Sequence, residues 1–220
     1  MPTAMTFTSL QADVTSYCER GGSTTDALFA AQLPSFINLR EKQIARELKI
    51  QGFINNVSTA MTTNLGVYPK PERWRETVSI NIGTNVGTAT TYNTRVTLLP
   101  RSYEYCRTYW PDDTLATTPK FYADYDYNHF IFVPTPNDTY PYELNFWQLL
   151  APLDSTNQTN WLTEYAPNAL LHGTCVEAFN FLKSPEQAAV WQAAYDRDMA
   201  GLSGEDLQKI LDRAQKRTTS

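Results

Sequence analysis

The chain has 220 residues, of which 42% are hydrophobic and 19% charged, a composition that predicts a globular protein with a sizeable core and excludes a disordered one. Its formal net charge of −5, with no basic run, argues against a nucleic-acid grip that neutralises phosphates. The widely spaced Cys18, Cys106 and Cys175 form no CxxC pair and indicate neither a disulfide framework nor a zinc site. Neither a signal peptide nor a run of ~18 apolar residues is found, so a soluble cytoplasmic product is expected.

Two helices are predicted at the N-terminal end. Thr8 and Ser9 are suitable caps for a first helix with an apolar stripe, which Gly21–Gly22 is expected to end. Proline favours the first helical position, so Pro34 is expected to begin a second helix over residues 35–50. That helix is amphipathic, with apolar residues on one face among many charged ones.

The central part of the chain is predicted to be β. From about Val57 the apolar period changes to two, and Val78, Ile80 and Ile82 alternate with polar residues. The aromatic-rich segment 101–150 is also expected to be β, with antiparallel pairing because no helix separates its strands. The strands expected there are 121–126 and 129–133, which form a hairpin, and 142–147.

The pattern returns to helix in the C-terminal part. An apolar stripe that ends at Leu182 predicts one helix, and the capping-box spacing at Ser184–Gln187 predicts another through Met199, which Gly201 is expected to end. A last amphipathic helix is expected after Ser203. Its apolar positions are Leu207, Ile210, Leu211 and Ala214.

The predicted fold class is α+β, with a helical bundle formed by N- and C-terminal helices and an inserted antiparallel β region. We expect residues 1–55 to hold the N-terminal helices of the bundle and residues 56–150 to form the β-rich insertion. Residues 151–200 would complete the bundle, and residues 201–220 would be a C-terminal docking segment. No Gly- or Ser-rich linker marks the β part as an independent domain.

A series of short motifs is spread over residues 7–200. In order they are Leu33–Leu39 with the charged helix Arg40–Lys49, Leu99–Pro100, Pro119–Tyr122, Phe132–Pro136, Asn160–Leu162, Pro167, Leu170–Leu171 and the aromatic helix to Leu182. Each motif alone is weak, but their order and spacing resemble the head-to-tail adaptor proteins of short-tailed bacteriophages, also called connector or head-completion proteins.

The resemblance implies a structural virion protein without enzymatic activity, made in the bacterial cytoplasm and located in the neck between capsid and tail. Members typically form rings of twelve copies. The implied partners are other copies of the chain, the portal protein and a tail nozzle or tail-hub protein, with genomic DNA only as passing cargo and no membrane. By resemblance the C-terminal part reaches the portal, where an apolar helix face would lie in a groove. The portal-docking residues would be Leu207, Ile210, Leu211 and Ala214; packing of this helix on its own bundle is the alternative.

Aromatic side chains are the candidates for a subunit or tail interface, because Tyr and Trp offer large contact areas with a polar tip. The candidates are Tyr103, Tyr105, Tyr109 and Trp110, although rings in this region also suit a core. Other interpretations stay open. Trp110 and the tyrosines would suit a carbohydrate-binding β module of a phage tail or fibre component, and carboxylates near Asp124 would suit a glycoside hydrolase. Arg101 and Arg107, interleaved with tyrosines, resemble a single-strand platform, but a strand with tyrosines on one face gives the same pattern.

Two further groups of residues have side chains of the types used in catalysis or metal binding. One cluster would suit a metal or paired carboxylates: Asp124, Asp126, His129 and Asp138. Alternation would place Asp124 and Asp126 on one strand face, and a solvent-facing strand is the simpler explanation. His172 and Cys175 are i, i+3 neighbours, as in ordinary helix packing. We therefore expect no catalytic residue, no metal site and no cofactor.

Overall fold

The computed structural model describes residues 5–20, 26–49, 51–83 and 94–218, and for residues 51 and 206–218 it describes the backbone alone. The described chain is α+β and divides into two compact units. The helical unit comprises Met1–Phe53 and Leu149–Ser220, and the β unit comprises Ile54–Gln148. Among the described residues, no helix is both long and apolar enough to cross a membrane.

The first helix, α1 (Phe7–Tyr17), begins earlier than its predicted cap. Thr6 is the N-cap: its side chain accepts the backbone N–H of Ser9 at 3.1 Å, and Ser9 Oγ accepts the N–H of Thr6 at 2.9 Å. Ser9 is therefore the third helical residue of a capping box, and the prediction that Thr8 and Ser9 cap the helix was wrong. Gly21–Gly22 lies outside the described residues.

The second helix, α2 (Ala27–Glu47), contains Pro34 in its interior, so the prediction that Pro34 begins the helix was also wrong. Asp26 caps the helix by accepting the N–H of Phe29 at 3.2 Å. An interior proline removes one helical hydrogen bond and costs roughly 3 kcal/mol. The burial of Leu33 and Phe36, one on each side of Pro34, offsets that cost.

The β unit contains two four-stranded sheets among its described residues. The first sheet has the order β1-β8-β3-β4 and is antiparallel throughout; the second has the order β2-β7-β6-β5. The predicted hairpin and the strand after it are present as β6, β7 and β8, but β5 pairs with β6 in parallel over two residues, which the antiparallel prediction missed. The strands are β1 (Ile54–Ala60), β2 (Val67–Pro69), β3 (Trp74–Gly83), β4 (Arg95–Thr97), β5 (Leu99–Pro100), β6 (Phe121–Asp124), β7 (His129–Val133) and β8 (Pro141–Gln148).

Alternation along β3 fails at one position. Ile80 and Ile82 are fully buried, whereas Val78 is 46% exposed. The pairing of β3 with β8 shifts register between Thr77 and Ser79, as at a β-bulge. A bulge inserts an extra residue into one strand, so Val78 is displaced from the buried face that the period of two predicts for it.

Residues Tyr103–Tyr109 form a helix, α3, where a strand was predicted. Ser102 is its N-cap and accepts the N–H of Tyr105 at 3.2 Å. The helix covers one face of the second sheet, where Cys106 packs in a small core with Ile131 and Val133 of β7. On the other face of that sheet, Phe130 and Phe132 enter a larger core that takes side chains from both sheets. β7 is therefore buried on both faces.

Three further helices complete the helical unit: α4 (Trp161–Tyr165), α5 (Pro167–Phe181) and α6 (Pro185–Thr218). The prediction that Gly201 ends a helix was wrong, because α6 runs on through it as one helix of 34 residues. A glycine inside a helix costs only about 1 kcal/mol relative to alanine, which is too little to stop a helix that the other residues favour. Tyr195 and Met199 of α6 are buried in this unit.

Candidate interaction surfaces

The aromatic surface consists of Tyr103, Tyr105, Tyr109 and Trp110, which α3 and its C-cap bring together. Two of the four belong to the protein interior: the rings of Tyr105 and Trp110 lie 5.8 and 5.9 Å from the ring of Phe121 and are half-buried. Tyr109 is 63% exposed and Tyr103 is 37% exposed. The surface is therefore a helix with an anchored side and a solvent-facing side.

The arginines near this surface are already engaged within the chain. Arg107 donates from Nε to Tyr103 Oη at 3.2 Å and from Nη1 to Asp113 at 2.6 Å, while its guanidinium lies 5.4 Å from the ring of Tyr103. The guanidinium of Arg101 lies 5.4 Å from the ring of Tyr105. These cations position aromatic rings, and the charge of Arg107 is compensated locally.

The hairpin turn adds a tyrosine that sequence reasoning did not assign to this surface. Tyr125, which follows β6, makes an edge contact with Tyr103 at 5.8 Å and is 44% exposed. Tyr127 in the same turn is 81% exposed. The hairpin predicted from strands 121–126 and 129–133 was the available signal, because it places residue 127 at the tip, where a ring has few neighbours to cover it.

The C-terminal helix α6 offers a second surface. Asp198 of α6 contacts His172 of α5, and Leu202 and Glu205 line a cavity of about 260 Å³ with residues 165–169, where α4 ends and α5 begins. At about 1.5 Å per residue, α5 is about 22 Å long and α6 about 51 Å, so α5 leaves much of α6 uncovered. Helical backbone continues from Glu205 to Thr218. The side chains of the predicted docking positions lie outside the described residues; these are Leu207, Ile210, Leu211 and Ala214.

A comparison with protein families decides the identity of the chain. The family model of the SU10 adaptor protein matches residues 5–219, almost the whole length. The chain belongs to the SU10 adaptor protein family. No curated protein matches the chain.

Membership of the SU10 adaptor family gives the chain a structural role as a bacteriophage head–tail adaptor and a place among the components of the virion. An adaptor acts through contacts with other virion components. The surfaces that matter in such a protein are therefore exposed side chains, exposed strand edges and helix ends.

The acidic cluster predicted near the β6–β7 hairpin is divided into separate pairs in this SU10-family chain. Asp124 contacts Lys70 Nζ at 2.7 Å, and Asp126 contacts His129 Nδ1 at 2.9 Å. Asp138 accepts the N–H of Thr139 at 2.7 Å. β6 ends at Asp124, so the prediction that Asp124 and Asp126 share a strand face was wrong. The described residues contain no group of three or more side chains suited to hold a metal ion.

Local hydrogen bonds stabilise the charged form of Asp126. Desolvation alone would raise the pKa of Asp126, but hydrogen bonds from His129 and from the N–H of Asn128 outweigh it and hold that pKa below its ordinary value. A carboxylate with a lowered pKa is a poor general acid. The arrangement suits the closure of a hairpin turn.

His172 and Cys175 do not form a dyad in the adaptor. His172 Nδ1 contacts Asp198 Oδ2 at 2.7 Å, and its ring lies 5.4 Å from that of Trp191, so it connects α5 to α6. Cys175 is fully buried, and burial raises the pKa of its thiol far above the ordinary value. A buried neutral thiol packs as a small apolar side chain.

Proposed function

We propose that this SU10-family chain forms a closed ring of twelve copies beneath the portal of a short-tailed phage, joins the portal to the tail nozzle or hub, and lets genomic DNA pass through. Family membership supplies the adaptor role. A ring of identical subunits needs heterologous contacts, in which one face of each copy meets a different face of the next. The net charge of −5 per copy would add to on the order of −60 around the channel, so DNA would be repelled from the wall and would slide.

The observation that carries the attachment to the portal is the length of α6. Leu202 and Glu205 line a cavity with residues 165–169, and the helical backbone continues to Thr218. Because α6 is more than twice as long as α5, we assign residues 206–218 as the part of α6 that meets an external partner. That segment would lay its apolar positions, spaced i, i+3, i+4 and i+7, into a groove of the portal.

The aromatic surface is proposed as the contact with a neighbouring subunit or with the tail. Tyr109 is 63% exposed on a helix that Tyr105 and Trp110 anchor to the β unit. Rigid aromatic side chains held in this way lose little conformational entropy when they bind.

Binding of the purified chain to purified portal particles tests the docking helix. A chain that ends at Glu205 should lose portal binding but stay folded, since the buried contacts of Tyr195 and Met199 remain, and its helical circular dichroism signal should fall only by the share of the helical residues removed. The double variant L207S/L211S should weaken binding at least tenfold, because it removes two apolar side chains that docking would bury.

The matched control is Q208S/Q215S, which lowers helix propensity on the same segment while sparing the apolar positions. We expect it to bind as the unmodified chain does. Full binding by L207S/L211S would overturn the docking helix. Electron cryo-microscopy of the neck of the virion then tests the ring: density for a closed ring below the portal is expected, and a peripheral fibre would contradict the proposal.

A further inference from the structure

The first sheet of the β unit has β1 at one edge and β4 at the other. In the part of the chain that the structure describes, no strand pairs with the outer side of β1. The seven residues of β1 include no lysine, no proline and no charged side chain. Soluble proteins protect exposed strand edges with such residues, because an open edge is a template for another strand. The edge at β1 lacks that protection.

The hydrogen-bonding direction along β1 follows from one printed bond and the antiparallel pattern. The N–H of Met61 donates to Tyr140 O at 2.8 Å, towards β8. Hydrogen-bonded and non-hydrogen-bonded positions alternate along an antiparallel pair of strands. The backbone N–H and C=O of Thr59 therefore also point towards β8, whereas those of Ser58 point outward. The N–H of Asn56 agrees, since it donates to Asn55 Oδ1. Ser58 therefore directs its backbone N–H and C=O away from the sheet.

The same construction applies at the opposite edge. The N–H of Leu98 donates to Ile80 O at 2.8 Å, towards β3. By the same alternation, the backbone N–H and C=O of Val96 point towards β3, and those of Thr97 point outward. Val96 is 47% exposed although its side chain lies on the face that carries Ile82, the core face of the sheet.

The two edges match in direction and in polarity. Each strand is antiparallel to the next across the sheet, so β4 of one copy and β1 of another are antiparallel when the sheet continues in the same sense. Paired residues form rows from edge to edge. The polar row is Ser58, Glu143, Asn81 and Thr97, and the core-face row is Thr59, Tyr142, Ile82 and Val96.

We propose that β4 of one copy pairs with β1 of the next, with Thr97 opposite Ser58, so that the first sheet continues from subunit to subunit. In this register Thr97 and Ser58 both face the partner strand and form a hydrogen-bonded pair, while Val96 lies opposite Thr59 on the core face. The contact is head-to-tail, as a closed ring requires, and it rests on the ring that we propose above. The pairing is short, so it closes the ring together with contacts from other surfaces, and the ring needs both.

Cysteine cross-linking tests this register. Val96 and Thr59 would be a non-hydrogen-bonded pair with Cα atoms about 4.5 Å apart, which suits a disulfide. Within one chain the two positions lie three strands apart, roughly 14 Å, so no disulfide forms inside a copy. The native cysteines are buried and unpaired, which keeps the background low.

The experiment uses the full-length T59C/V96C chain assembled on portal particles and mildly oxidised. A non-reducing gel should show a ladder of covalent oligomers beyond the dimer, which reductant removes. S58C/V96C is the matched control: its two cysteines would lie on opposite faces of the continued sheet, and no ladder is expected. The variant S58P provides a second measurement. Its proline removes an N–H that does not bond to β8, so the subunit should fold but the ring should be lost.

Portal-bound T59C/V96C rings without a ladder would overturn the strand pairing and leave the adaptor proposal intact. A ladder that stops at the dimer would also overturn it, because it indicates a two-fold contact. Rings formed by folded S58P would do the same. Failure of the unmodified chain to bind the portal would instead overturn the proposed function, and a ladder formed in solution by T59C/V96C would then still support the pairing.

Discussion

The helical unit buries charge and the β unit buries aromatic rings. In the helical unit, Arg40 and Glu41 of α2 are only 4% and 3% exposed. The main core of the β unit is apolar and aromatic, with Phe132 in contact with the rings of Tyr68 and Tyr142. Dispersion and apolar burial stabilise a core of rings but do not depend on one relative orientation of the side chains. An ion pair with its hydrogen bonds does require one geometry.

Charged side chains connect specific helices. Arg40 Nη2 contacts Glu177 Oε1 of α5 at 2.9 Å, and Tyr195 Oη of α6 donates to Glu47 Oε2 of α2 at 2.8 Å. The guanidinium of Arg40 also lies 5.0 Å from the ring of Tyr195. These contacts fix α6 relative to α2 and α5. A helix that is to reach a partner with its far end needs such a fixed base.

The largest effect is expected from a substitution in the aromatic core. Phe132→Ala should lower the free energy of unfolding by about 3–5 kcal/mol, because it removes a fully buried ring and leaves a cavity. Tyr127→Ala removes a ring that is 81% exposed and should change stability by less than about 0.5 kcal/mol. Urea denaturation followed by tryptophan fluorescence measures both. Equal effects of the two variants would contradict the division between core and surface rings.

The stability cost of removing Arg40 should depend on whether its ion-pair partner Glu177 is still present. Arg40→Met leaves Glu177, whose side chain is 26% exposed, without its ion-pair partner and should cost about 2 kcal/mol, less than for a fully buried pair. Glu177→Leu in addition should recover about 1–2 kcal/mol, since an apolar pair no longer carries the desolvation cost. Arg40 Nε has no hydrogen-bond partner among the described residues, which adds to that cost.

Urea denaturation of the two single variants and the double variant gives the coupling energy directly. Strict additivity would show that Arg40 and Glu177 act independently, and the ion pair would then lose its role as a connector of α2 and α5. The double variant Phe132→Ala with Arg40→Met is the matched comparison. These residues belong to different compact units, so their effects on the free energy of unfolding should add.

Local patterns predicted the parts of the fold in which local preference and tertiary packing agree. The hairpin β6–β7 was predictable because apolar runs flank a short polar turn. Helix α3 was not, because the β preference of its tyrosines outweighed the cap at Ser102 and the i, i+4 contacts of Tyr103 with Arg107 and of Tyr105 with Tyr109. Gly201 was overvalued as a stop signal, since a single glycine costs too little to end a helix that the other residues favour.

The interaction surfaces were predictable only as groups of residue types. The sequence indicates which rings are large enough to serve an interface, but Tyr105 and Tyr109 are alike in sequence and differ in exposure because Phe121 covers only one of them. The outward direction of Ser58 and Thr97 depends on the hydrogen-bonding phase of two strand pairs. That phase is a long-range property, so no local pattern reports it.

The smallest predicted effect concerns the dependence of the helical unit on pH. Glu41 Oε2 accepts the N–H of Leu153 at 3.0 Å, and Oε1 accepts Asn160 Nδ2 at 2.5 Å. Burial raises the pKa of Glu41 above its ordinary value of 4.5, and these two hydrogen bonds only partly offset it. The stabilising contribution of Glu41 is therefore complete below pH 4.5 and is lost as the pH rises through the raised pKa.

Glu41→Gln has no ionisable group at this position, so its stability should not fall over that range. The variant should be less stable than the unmodified chain at pH 4, because the amide replaces one acceptor oxygen, and the difference should narrow by pH 8, by roughly 1.4 kcal/mol for each unit of pKa shift. Urea denaturation followed by helical circular dichroism at pH 4, 6 and 8 measures it. Glu164→Gln, at an exposed position of α4, is the control and should follow the unmodified chain at all three pH values. A difference that widens with pH would mean that Glu41 is stabilised as a carboxylate, and the helical unit would then gain, and not lose, stability from its buried charge.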